Sequence, residues 1–307
     1  MNHWKVHLKL VFVAAVWGFG WPAGRVLADQ MAPFTAAWIR YVVAIGCFAL
    51  YLQATDNWLF PTRGEWKRVA MIGFFSTVVY QAFFLYGMKY TAAGDASLMI
   101  TFNPFFTALL AILFLNERLH WRLATGLTLG IIGVTILFLY SPNVDIPIDE
   151  RALGDLLIAA AAFAWACNNI LMKRAMNTPA PDAKATLSPL HLTVWSSVAG
   201  LILLTPPAVI ETLSVGVPDS NMDGWISLVF LAVFSTVISY VWFADGIRTI
   251  GAGKAALYVY LVPPFGIFSG WLLLDEKLGV PLLLSFVLIV GGVWLAQSQK
   301  AAFEEAS

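Results

Sequence analysis

Two stretches of this chain carry residues suited to gripping a small molecule without altering it. Trp17, Trp21 and Arg25 recur at helical spacing on one face, and Trp165, Asn168 or Asn169, and Lys173 repeat the same aromatic, polar and cationic order. Indole rings offer flat apolar area for stacking, while side-chain amides hydrogen-bond a polar head without burying a full charge. Trp17 and Trp165 fall near the middle of long apolar runs, where a tryptophan of the bilayer interface does not belong. Asn168 and Asn169 are adjacent amides within such a run, so they require partners in protein or a wet cavity. Gly20 and Gly24 make a small-residue face whose ordinary role is helix packing.

Further candidates sit at matched places elsewhere. Tyr80, Gln81 and Phe84 lie opposite Ser239, Tyr240 and Phe243, and the face Ser97, Thr101, Pro104 lies opposite Ala256, Tyr260, Pro263. Each proline frees a carbonyl one turn earlier and can bend its helix, so Pro104 and Pro263 are candidate gating kinks.

Covalent and metal chemistry find no foothold. The four histidines, His3, His7, His120 and His191, all lie near the ends of apolar runs, and Cys47 and Cys167 lie inside runs without a ligand pattern. No phosphate-binding glycine loop is present, and no cofactor or nucleic-acid partner is implied. The charged side chains are assigned to span ends as solvated or paired anchors: Asp95 and Lys254 opening helices 4 and 9, Glu117 and Glu276 closing them, Asp155 opening helix 6, and Arg25 and Arg40 on the outer side. No titratable group is assigned to the middle of any span.

What must position these residues is a bundle of helices in a bilayer. The chain is 60% hydrophobic and 12% charged with a mean hydropathy of +0.77, far from a soluble domain. Ten apolar runs, each roughly the 18 to 22 residues that cross a hydrocarbon core, begin near Leu8, Pro33, Val69, Ala96, Leu123, Leu153, Leu190, Ile226, Ala252 and Leu282. They are continuously apolar rather than alternating, which favours helices over barrel strands. The expected fold is an all-α integral membrane protein of ten transmembrane helices. The first run is expected to be retained as helix 1 despite its leader-like start, because Gly18 to Pro22 interrupts it and Arg25 precedes the small residues. With the N-terminus inside, 13 of the 18 lysines and arginines fall on one face, which places both termini in the cytoplasm. Connections are short, so one compact membrane domain is expected.

The chain also repeats itself. Ser76 to Leu119 aligns without a gap on Ser235 to Leu278 with about 15 identities, among them Gly87 with Gly246, Gly94 with Gly253, Pro104 with Pro263 and Glu117 with Glu276. Trp17 and Arg25 likewise align with Trp165 and Lys173. The expected halves are residues 1–145 and 146–307, five helices each. Five is odd, so the second half enters the membrane from the opposite side and the halves are inverted repeats, whose function concentrates at their interface.

Ten helices in two inverted repeats, the Trp17 to Pro22 motif and the Asn116-Glu117-Arg118 and Asp275-Glu276-Lys277 helix endings resemble the EamA branch of the drug/metabolite transporter superfamily. Aromatic richness around helices 1, 3 and 6 resembles YddG-type exporters of aromatic and other neutral amino acids. The resemblance implies a bacterial inner membrane, substrate export by alternating access and a central cavity between the halves. Substrate binding is then expected from Trp17, Trp21, Tyr80, Gln81, Phe84, Thr101, Trp165, Asn168, Asn169, Tyr240 and Tyr260, in a protein working as a monomer. Another small metabolite or drug is the alternative cargo, and an intramembrane enzyme is disfavoured. Without a titratable group at mid-span, the expected coupling is transport down the substrate's own gradient.

The topology is testable directly. In a background lacking Cys47 and Cys167, Asn177→Cys and Ala301→Cys should label with a membrane-impermeant thiol reagent only from the cytoplasm, and Ser220→Cys only from outside. Labelling of position 177 from outside would remove the inverted repeat.

Overall fold

The computed structural model describes residues 3–55, 58–115, 121–142, 146–183, 186–250, 255 and 258–304. Asn116, Glu117, Arg118, His120, Gly253, Lys254 and Ala256, which entered the sequence reading, lie outside them. All regular structure among the described residues is helical. In chain order the rods are α1 (His3–Gln30), α2 (Pro33–Ala54), α3 (Arg63–Met88), α4, α5 (Trp121–Tyr140), α6 (Ile148–Asn177), α7 (Pro189–Val215), α8, α9 (Tyr258–Leu274) and α10 (Val280–Glu304). The fourth, α4, runs as Ala93–Met99, a 3-10 turn Ile100–Phe102 and Asn103–Leu115. The eighth, α8, runs as Met222–Val229, a π-helical stretch Phe230–Ile238 and Ser239–Ile250.

Each expected apolar run therefore has a helix, and six of them, α1, α2, α3, α6, α7 and α8, are long and apolar enough to cross a membrane. α5, α9 and α10 hold shorter apolar segments. Large aliphatic side chains such as Leu50, Leu113, Ile131, Leu156, Ile202 and Leu213 point outward. That much exposed apolar area is at rest only against lipid tails.

Local irregularities come in pairs. A 3-10 turn precedes Asn103-Pro104 in α4, and another, Tyr258–Leu261, precedes Val262-Pro263 in α9. α3 carries a π-helical stretch at Phe74–Val79 that answers the one in α8. In α8 the hydroxyls of Thr236 and Ser239 donate to carbonyls five residues back, Leu231 at 2.8 Å and Phe234 at 2.8 Å, which suits the wider winding.

Packing is paired as well. α1 lies against α9 as α6 lies against α4; α1 meets α8 as α6 meets α3; and α2 flanks α8 as α7 flanks α3. α5 and α10 pack on each other at the edge. The aligned glycines mark matched close approaches: a Cβ on Gly87 would lie 2.7 Å from Ile158 Cδ1 of α6, and one on Gly246 would lie 2.7 Å from Leu10 Cδ2 of α1. α1 is the hub, and at Gly18 it sits so near α9 that a Cβ would fall 2.3 Å from that of Phe265. In the connection between α6 and α7, Asp182 accepts from the Gly64 N–H and the Thr62 hydroxyl at the start of α3, which hold its carboxyl below the usual carboxylate range.

Gly87→Val and Gly246→Val should each destabilise the detergent-solubilised protein by about 1–3 kcal/mol through overpacking, read as a lowered denaturation midpoint. An unchanged midpoint for either would contradict the matched helix contacts.

Candidate functional site

Seven of the residues singled out from sequence meet in the middle of the bundle. Ring centroids run from Trp21 to Phe84 at 5.4 Å, Phe84 to Tyr80 at 5.9 Å, Tyr80 to Trp165 at 5.1 Å, Trp165 to Tyr240 at 6.3 Å, Tyr240 to Trp17 at 6.1 Å and Trp17 to Phe243 at 5.3 Å. Every step falls within the range of favourable aromatic contact. The unbroken chain draws on α1, α3, α6 and α8, two helices from each half of the sequence. Trp17 is fixed by an N–H donated to the Ser235 carbonyl at 3.0 Å. Trp21 is buried, and its indole N–H has no hydrogen-bond partner among the described residues. Trp17, Tyr80, Trp165 and Tyr240 are half-buried although helices surround them.

The polar residues divide differently from expectation. Gln81 is buried, accepting from Arg40 Nη1 at 3.0 Å and donating to the Tyr41 hydroxyl at 3.3 Å, so its amide is already engaged. Thr101 turns its hydroxyl to the Leu98 carbonyl of its own helix at 2.5 Å. Asn169 donates to Asn103 Oδ1 at 3.1 Å and ties α6 to α4. Asn168 is buried and makes no hydrogen bond among the described residues. Tyr260 packs beside Phe102 on the Phe105 and Val293 cluster, apart from the aromatic chain. Pro263 is buried at the start of the α-helical part of α9, and Pro104 occupies the same place in α4.

Arg40 corrects the sequence reading most. Assigned to an outer span end, it stands seven residues beyond Pro33, ~10 Å along α2. It is 7% exposed, with Nη2 donating to Thr236 Oγ1 at 2.9 Å in addition to its Gln81 bond. Its position in the run was the available signal; a long side chain that can snorkel concealed it.

Of the expected solvated or paired anchors, Asp95, Asp155 and Glu276 are paired rather than solvated. At the Arg25 end of the bundle, Arg25 donates to the Met88 and Thr91 carbonyls at 2.8 and 3.0 Å. Thr91 donates to Asp155 at 2.6 Å and Ser141 to Asp95 at 2.7 Å, both carboxyls being buried. Glu276 accepts from the Ala93 and Gly94 N–H groups at 2.5 and 2.8 Å, satisfying the start of α4 from the end of α9. Burial raises the Glu276 pKa, and those two N–H groups oppose the rise. This end is clamped. At the other end the second part of α4 turns away from α9 to pack on α6 and α10, while Lys9 pairs with Asp245 at 2.9 Å. Two surface hollows, one bounded by Lys67, Phe74 and Leu203 and one by Tyr140, Arg151 and Pro281, lie away from the aromatic chain. No group of three potential metal ligands occurs among the described residues.

Comparison with known proteins decides the class. The EamA-like transporter family matches twice, over residues 4–139 and 152–297. The chain belongs to the EamA-like transporter family. Its relatives include a probable amino-acid metabolite efflux pump of Escherichia coli, 30% identical over 93% of this chain and 92% of that protein. A Salmonella typhimurium protein of the same description is 28% identical over 93% and 92%. The uncharacterized transporter YoaV of Bacillus subtilis is 25% identical over 95% and 96%. One crystal structure, 18% identical, superposes with a TM-score of 0.60 over 94% of this chain and 97% of that one, a likeness of fold alone. An EamA-like transporter is a multi-pass membrane protein that carries a small molecule and is not an enzyme. The double match is what the repeat within the sequence led one to expect.

The two adjacent amides should separate by experiment. Asn169→Ala should cost about 1 kcal/mol of stability through the lost interhelical hydrogen bond, seen in thermal denaturation. Asn168→Ala should leave that midpoint within about 0.5 kcal/mol and alter ligand preference. Equal midpoints for the two variants would undo the assignment.

Proposed function

We propose that this transporter exports aromatic and other neutral amino acids across the bacterial inner membrane by alternating access between two inverted five-helix halves, residues 1–145 and 146–307. The observation that carries the reading is the aromatic chain itself, assembled from both halves at mid-depth. Rings at such a seam change their mutual spacing whenever the halves rock, so a ligand stacked among them is held in one arrangement and released in another. The half-buried faces of Trp17, Tyr80, Trp165 and Tyr240 supply the stacking surface for a planar or apolar side chain. The names of the Escherichia coli and Salmonella relatives point to the same cargo class.

Orientation rests on the basic residues, and the exposed Trp58, Phe60 and Trp66 beside Arg63, Lys67 and Arg68 form an interfacial aromatic group at the proposed cytoplasmic surface. The clamp of Arg25, Asp95, Asp155 and Glu276 then closes the outer mouth, and the diverging second part of α4 faces the cytoplasm. The protein works as a monomer, without cofactor. Transport down the substrate's own gradient is the simplest coupling.

Proteoliposomes containing the protein should catalyse phenylalanine counterflow with no imposed ion gradient, at a rate indifferent to protonophore. Trp17→Ala and Trp165→Ala should lower that rate by at least about tenfold while the variants still insert. Counterflow that both variants retain would move the site elsewhere, and a rate that collapses with protonophore would assign proton coupling to the buried Asp95 and Asp155.

A further inference from the structure

Arg40 is a full positive charge in the interior of an apolar bundle, and the groups it touches are neutral. Its partners are the Gln81 carbonyl oxygen, the Thr236 hydroxyl and the face of Tyr41, whose ring centroid lies 6.0 Å from the guanidinium carbon. The ion pairs among the described residues are Lys9 with Asp245 and Arg25 with Asp29, and neither involves Arg40. The other buried acids are engaged elsewhere: Asp95 with Ser141, Asp155 with Thr91, and Glu65 with the Thr62 N–H. An unpaired cation at this depth is costly, and neutral hydrogen bonds offset part of that cost. The guanidinium also keeps a buried Nε–H without any partner among the described residues. That N–H and the unused hydrogens on the terminal nitrogens form the planar fork that accepts a carboxylate in bidentate fashion.

The fork stands beside the aromatic chain. Gln81 follows Tyr80 in α3, and Thr236 follows Ser235, whose carbonyl holds Trp17. Arg40 and Tyr41 lie within electrostatic reach of both Tyr80 and Tyr240. Gln81 and Thr236 fix the guanidinium from α3 and α8, so its orientation is set before any ligand arrives.

We infer that Arg40 is the carboxylate-binding residue of this transporter, and that its substrates are defined by a carboxylate joined to an apolar or aromatic body, the amino group being dispensable. The ligand supplies the missing counter-charge. Arylalkanoates without an amino group should therefore bind, whereas amides, esters and simple amines should not. This deepens the proposed function and rests on its placement of the ligand among the rings.

Calorimetric titration of the purified protein in nanodiscs tests it with four probes: L-phenylalanine, 3-phenylpropionate, L-phenylalaninamide and 2-phenylethylamine. The two carboxylates should bind at least about tenfold more tightly than the amide and the amine, a charge-pair effect. Arg40→Lys should preserve the order, and Arg40→Gln should bring all four within about threefold of one another. Wild-type protein that binds the amide as tightly as the carboxylates would overturn the inference, and so would a folded Arg40→Gln variant that keeps the preference. If Arg40→Gln does not fold, the wild-type probe series decides alone. Tight 3-phenylpropionate without phenylalanine binding upholds Arg40 while rejecting amino acids as cargo; phenylalanine and its amide binding equally does the reverse.

Discussion

Hydrocarbon offers no hydrogen-bond partner, so every polar group inside this bundle must find one within the protein, and that constraint shapes its organisation. The broken start of α4 exposes N–H groups, and Glu276 from α9 answers two of them. The start of α2 presents the Thr35 N–H and hydroxyl to Glu211 of α7, at 2.7 and 3.0 Å. Asn103 and Asn169 satisfy each other across α4 and α6. Each of these bonds joins helices far apart in sequence, so meeting the hydrogen-bonding requirement is also what locks the tertiary arrangement. Among the described residues the requirement is met only in part at the buried Trp21, Thr77, Ser285 and Arg40, and of these Arg40 carries the charge that a ligand can complete.

The same constraint separates a rigid end from a yielding one. Around Arg25 the carbonyls of Met88 and Thr91, the carboxyls of Asp95 and Asp155, and Glu276 interlock four helices through short polar contacts. At the other end, α4 leaves α9 after its 3-10 turn and leans on α6 and α10. A 3-10 or π segment has poorer hydrogen bonds than an α-helix, so the segments at Ile100–Phe102, Tyr258–Leu261, Phe74–Val79 and Phe230–Ile238 are the cheap places to bend. Two of them, Phe74–Val79 and Phe230–Ile238, run directly into the aromatic chain at Tyr80 and at Ser235, which holds Trp17, so bending there changes the contacts a ligand would feel.

Much of this was legible in the residues. Apolar runs gave the helices, and Gly87, Gly246, Pro104 and Pro263 gave the repeat, because close approach and bending each demand a particular residue type. Trp17 and Trp165 stood out as large rings at depths where the bilayer interface does not explain them, and Tyr80 and Tyr240 as residues at matched places in α3 and α8. Direction was less legible. Gln81, Thr101 and Asn169 have the right chemistry for a ligand but turn toward protein, a choice made by neighbours from other helices. Arg40, Asp95 and Asp155 were taken for surface charges because nearness to a span end does not tell whether a side chain reaches water or a buried partner. Winding was not legible at all, since the hydroxyl bonds from Thr236 and Ser239 compete with α-helical ones on terms that sequence spacing does not express.

The central claim is that the clamp at the Arg25 end must open, and the splayed end of α4 must close, for a substrate held at the aromatic chain to cross. Pulsed electron spin resonance between labels on Lys89→Cys and Val280→Cys reads the first end, and between labels on Lys5→Cys and Leu113→Cys the second. On adding phenylalanine to the protein in nanodiscs, the account predicts a new, longer distance population at the first pair and a shorter one at the second. Bound ligand with both distributions unchanged would contradict it.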